Sequence, residues 1–90
     1  MTIFEYLQEK YPKGQMVLTS LEAKAFGVRY PLQPGWLKDV GHVYIAPQTA
    51  KDLAKKLVTK AMKTQSDSKA EYCARGAAIL IRAAAQEISR

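Results

Sequence analysis

The sequence has few of the residues on which chemistry or cross-linking depends. It holds one cysteine, Cys73, so no internal disulfide can form, and no partner cysteine stands at metal-ligand spacing. One histidine, His42, and one cysteine on elements of different type do not make a nucleophile motif. The five glycines, at 14, 27, 35, 41 and 76, are too scattered for a phosphate-cradling loop, and the eight acidic residues are too dispersed for a metal cluster. No apolar run approaches the roughly 18 residues a membrane span needs. The first ten residues carry two glutamates in place of a basic leader. These absences lead to the expectation of a protein that is not an enzyme, has no catalytic residues, metal or other cofactor, does not enter membranes and resides in the cytoplasm. Ninety residues allow one modest core, so one small domain spanning 1–90 is expected.

What the chain has in excess is positive charge. Fourteen basic side chains stand against eight acidic ones, giving a net charge of +6. The excess is concentrated: residues 47–66 hold Lys51, Lys55, Lys56, Lys60 and Lys63 against Asp52 alone, whereas the segments on either side are each near balance. A dense lysine face attracts phosphate backbones or an acidic protein surface without reading sequence. The same pattern also arises on a helix face that is merely solvated.

The periodicity predicts four helices. In TIFEYLQEKY, Ile3, Phe4, Leu7 and Tyr11 fall on one side, and Thr2 with Glu5 has the spacing of a capping box. Thr19 and Glu22 repeat that spacing ahead of a short helix at 20–26, which Gly27 ends. A third helix runs from Pro47 to about Lys63, with Ala50, Leu53, Ala54, Leu57, Val58 and Ala61 facing inward and the lysines opposite. A fourth, about 68–88, is expected to be capped by Asp67 or Ser68 with Glu71 as box partner, and to bury Tyr72, Cys73, Ala77, Leu80, Ile81, Ala84 and Ile88. Its alanines allow close packing, and Ile79 and Ala83 widen the apolar surface, so this helix is either well buried or the contact of a homodimer.

Between the second and third helices lies RYPLQPGWLKDVGHVYI, residues 29–45. Tyr30 and Gln33 each precede a proline and are pushed toward extended conformations, so helix can begin only at Pro34 and must end by Gly41. His42–Ile45 alternates like a short strand, with Met16–Leu18 as its expected partner.

Read from residue 17, the order VLT-x-LEAKAFGV, GWLK, G-HVYI-xP and QTAKDLAKKL resembles small winged-helix DNA-binding domains of the excisionase and MerR-like type, over residues 17–58. The resemblance implies a mainly α fold, winged-helix-like, with four helices and a small two-stranded or wing-like β element. It also implies DNA as the partner, Lys38 as the contact of the helix that enters the groove, Arg29 as a backbone contact, and His42 and Tyr44 as wing residues. The departure from that family falls at the groove-entering helix, which Pro31 and Pro34 shorten and which carries few polar groups. In this reading Trp36 and Leu37 anchor the core, and Lys51, Lys55, Lys56, Lys60 and Lys63 contact phosphates. The functional expectation is a basic nucleic-acid-binding accessory or regulatory protein of a bacterium or mobile element. Stacking of Tyr30, Trp36 and Tyr44 on unpaired bases is a further route to nucleic acid. The competing reading is a small protein-binding inhibitor or adaptor, in which Tyr30 and Trp36 anchor a rigid proline-bounded segment and the lysines meet an acidic protein surface. A helical domain whose basic face only keeps it dissolved is the third.

Overall fold

The first turn of the first helix shows how residues 1–45 are assembled. In the computed structural model, which describes residues 1–14 and 16–88 with side chains through 86, α1 spans Ile3–Lys10. A helix leaves its first amide donors without intrahelical acceptors. Here the Ile3 N–H donates to the Val43 carbonyl at 2.9 Å, Phe4 to Gly41 at 2.8 Å, and Glu5 to the Thr2 hydroxyl at 3.1 Å. The Glu5 carboxylate accepts in return from the Thr2 N–H at 2.8 Å, completing the expected capping box. These bonds from Thr2 hold the Glu5 carboxyl below the ordinary value of 4.5.

The segment after Gly41 therefore pairs with the amino terminus. Thr2 and Tyr44 form a single antiparallel bridge, and the Ile45 N–H reaches the Met1 carbonyl at 2.9 Å. This corrects the expected strand: its partner is Met1–Thr2 and not Met16–Leu18, and among the described residues no strand or wing forms. The free amides of α1 recruit the Gly41 and Val43 carbonyls that a hairpin with 16–18 would have used.

Helix α2, Ser20–Phe26, opens on the second capping box and closes at Gly27, whose φ of 73° is the left-handed conformation. The Val28 N–H closes over the helix end onto the Ala23 carbonyl at 2.8 Å. The two helices meet through a carboxylate. Glu22 is fully buried, and its Oε1 accepts from the Thr19 N–H at 3.1 Å and the Thr19 hydroxyl at 3.0 Å. Its Oε2 accepts from the Tyr6 hydroxyl and from Lys10 Nζ at 3.0 Å, and Lys10 is itself buried. Tyr6 also packs edge-on against Phe26, ring centroids 5.9 Å apart. The buried face of α1 is therefore Ile3, Tyr6, Leu7 and Lys10, while Phe4, expected inward, is 41% exposed. Glu22 gives the polar tips of Tyr6 and Lys10 a partner, which lets the stripe turn toward them.

A fifth helix, α3, covers Trp36–Val40 and starts two residues later than Pro34. Gly35 has a φ of 82°, incompatible with a right-handed helix, so winding begins after it. None of its residues is fully buried; Trp36 and Leu37, expected as core anchors, are half-buried. The Tyr30–Pro31 peptide bond is cis.

By internal contacts the chain divides into two compact units, Met1–Ile45 and a second beginning at Ala46. The second is an α-helical pair. Helix α4, Pro47–Lys63, begins with proline at its first turn, and α5, Asp67–Ile88, packs against it. Ala50, Leu53, Ala54 and Leu57 are buried on α4, and Cys73, Ala77, Ile79, Leu80 and Ala84 on α5. The cap of α5 is Ser66, whose hydroxyl accepts from the Lys69 N–H at 3.4 Å; Glu71 pairs with Arg75 at 3.2 Å in place of the expected box. Val58, Tyr72 and Ile81 were expected inward and lie at the surface, Ile81 at 52% exposure. Two helices share only one seam, and these three sit on its flanks. Ile88 belongs to α5, but its side chain lies outside the described residues.

Replacing Glu22 by Ala removes the carboxylate that pairs with the buried Lys10 ammonium and accepts from the Tyr6 hydroxyl. The expected loss is about 3–5 kcal/mol for the first unit. Trp36, the one tryptophan, reports that unit by fluorescence during urea unfolding; a loss below about 1 kcal/mol would contradict the role given to Glu22. At α1, Thr2→Ala keeps the larger cause, the bond from the residue 2 N–H, and removes the side-chain one, so it should return the Glu5 carboxyl part of the way to its ordinary value, seen in an NMR titration. Because the folded value is the lower one, the contribution of this box is complete above pH 4.5 and disappears as pH falls through the depressed value.

Candidate nucleic-acid interface

The seam with α5 takes up one stripe of α4, Ala50, Leu53, Ala54 and Leu57, and the lysines lie outside it. Lys51, Lys55, Lys56, Lys60 and Lys63 are all exposed. Among the described residues none of the five is in an ion pair. At about 100° and 1.5 Å per residue they form two rows. Lys51 and Lys55 make one, about 6 Å apart along the axis; Lys56, Lys60 and Lys63 make the other, with axial steps of about 6 and 4.5 Å. The rows stand roughly a third of the circumference apart on either side of a strip of Gln48, Asp52 and Thr59.

That strip is internally hydrogen-bonded. Gln48 Nε2 donates to Asp52 Oδ1 at 3.0 Å, and the Thr59 hydroxyl donates to the Lys55 carbonyl at 3.1 Å. The nearest acid to the lysines is thus already engaged by a neutral amide. Lys60 and Lys63, in the last turn, also complement the negative end of the helix dipole, which rationalises two of the five without any ligand. Lys51, Lys55 and Lys56 have no such account.

The other expected contacts lie in the first unit. Arg29 and Lys38 are exposed, as are His42 and Tyr44 in the segment that pairs with the amino terminus. Lys38 is the one cation of α3. Tyr30, immediately before Pro31, is 55% exposed, whereas Trp36 is half-buried. Sequence reasoning gave no role to the Gln48–Asp52–Thr59 strip, although its spacing of four and seven residues was readable. It also missed the Tyr6–Lys10–Glu22 cluster, which is fully satisfied and structural.

Among the described residues no group of three His, Cys, Asp or Glu is placed to hold a metal ion, and no helix is long and apolar enough to cross a membrane. Comparison with protein families, curated proteins and solved structures gave no match to this chain.

Because the lysines touch nothing that holds the fold, replacing Lys55, Lys56 and Lys60 together by Gln should leave stability within about 0.5 kcal/mol per site. Thermal unfolding followed by circular dichroism checks this, and a drop of several kcal/mol would show that the face is structural.

Proposed function

We propose that the chain is a nucleic-acid-binding accessory or regulatory protein, with duplex DNA as its partner and α4 as its main contact surface. The observation that carries this reading is the set of five exposed lysines on one 17-residue helix, with none of them in an ion pair among the described residues. An unneutralised row of cations at spacings of about 4.5–6 Å suits a polyanion, because each phosphate contact releases a condensed counterion. Arg29, Lys38, His42 and Tyr44 supply further exposed groups in the first unit; of the winged-helix resemblance the helix stop at Gly27 is present, whereas no wing forms among the described residues. Regulation by a bacterium or mobile element remains part of this proposal and rests on that resemblance alone.

A second reading, capture of a protein with an acidic surface, is favoured by Tyr30, a large side chain held out on a proline-bounded segment. The two readings separate by mutation. Loss of the α4 lysines abolishes nucleic-acid binding, whereas Tyr30→Ala and Trp36→Ala weaken protein capture and spare it.

The test is a fluorescence titration with labelled mixed-sequence duplex and single-stranded DNA at several salt concentrations. Binding should weaken steeply with salt. In the Lys55, Lys56 and Lys60 triple Gln variant, the slope of log K against log salt should fall in magnitude by about 2.7, at roughly 0.9 per phosphate contact. Absence of binding at low salt would overturn the proposal.

A further inference from the structure

We infer that α4 is the element that enters the DNA major groove, with its two lysine rows on the two phosphate backbones and Gln48, Asp52 and Thr59 facing the base edges. This rests on the nucleic-acid reading above and assigns its geometry. The major groove of B-form DNA is about 12 Å wide, and a helix with its side chains is about 10–12 Å across. A helix lying in that groove meets phosphates on both flanks and bases between them. Around the exposed surface of α4, Lys51 and Lys55 lie on one flank with Met62, 82% exposed, between them in angle, Lys56, Lys60 and Lys63 lie on the other, and three hydrogen-bonding side chains lie between the flanks. A helix that merely lay across one backbone would need a single row.

The groups in the strip suit base edges. A Gln amide can donate to and accept from adenine, a carboxylate can accept from the cytosine amino group, and a threonine hydroxyl can meet either or touch the thymine methyl. Asp52 is the telling residue, since a carboxylate on a phosphate-facing surface only repels. It lies within the strip between the two rows, nearer in angle to Lys56 and Lys63 than to Lys51 and Lys55, and so over the bases.

Helix α3, the counterpart suggested by the winged-helix resemblance, is the poorer fit. Its five residues extend about 7.5 Å, with Lys38 as the one cation, whereas the 17 residues of α4 extend about 25 Å.

The experiment is dimethyl sulfate footprinting of the full chain on a mixed-sequence DNA duplex, with binding followed in parallel by fluorescence anisotropy. The reagent methylates guanine N7 in the major groove and adenine N3 in the minor groove, so one reaction reads both. At saturation the inference expects protection of guanine N7 with adenine N3 unchanged. It also expects markedly weaker binding to an RNA duplex of the same length, whose major groove is too deep and narrow to admit a helix. Saturated binding with guanine N7 fully reactive, protection of adenine N3 alone, or equal affinity for the RNA duplex would overturn the inference while leaving the nucleic-acid reading standing. No binding to any duplex at low salt would overturn both.

Discussion

The carboxylate of Glu22 is the group around which the first half of the chain is organised. One of its oxygens caps the start of α2 through Thr19, and the other takes the Tyr6 hydroxyl and the Lys10 ammonium from α1. A buried charge is costly unless both its lone pairs and its counter-ion are in place, and here both are supplied. The arrangement joins two helices of eight and seven residues, each too short to be stable alone. With α1 fixed, its free amides hold the Gly41–Ile45 segment against the amino terminus. Gly41 lies so close to the end of α3 that an added Cβ would stand 2.5 Å from the Leu37 carbonyl oxygen. The positions of His42 and Tyr44 follow from that contact.

The second unit solves the same problem without polar groups. Leucine and alanine on α4 meet alanine, leucine and Cys73 on α5, and small side chains let the helices approach closely. The lysines stand on the side of α4 turned away from α5. Charge and packing are thus separated on α4: the side that holds the fold carries no charge, and the side that carries charge holds nothing. Such a division leaves the basic face free to be arranged by spacing alone.

Helix positions were legible in the sequence because their signals are local. Both capping boxes, the Gly27 stop and, Val58 apart, the apolar stripe of α4 depend on residues three or four apart, and they are where periodicity and side-chain chemistry put them. Two departures are local, the delay of α3 by Gly35 and the cap of α5 at Ser66; those that rearrange the first unit are long-range. Nothing near Tyr6 or Lys10 announces that both reach a glutamate twelve to sixteen residues away, and this contact rotates α1 away from the expected Phe4. The pairing of Gly41–Ile45 with Met1–Thr2 is equally non-local. The candidate interface was half legible. Charge counting found the lysines; the strip between the two rows was readable only from its four- and seven-residue spacing, because glutamine, aspartate and threonine give no compositional signal.

The central claim is that nucleic acid meets the exposed side of α4. The most direct measurement is amide chemical-shift mapping of isotope-labelled protein as a mixed-sequence DNA duplex is added. The account predicts the largest shifts between Gln48 and Lys63, with the α5 seam little changed. Shifts confined to residues 29–44, with α4 silent, would contradict it.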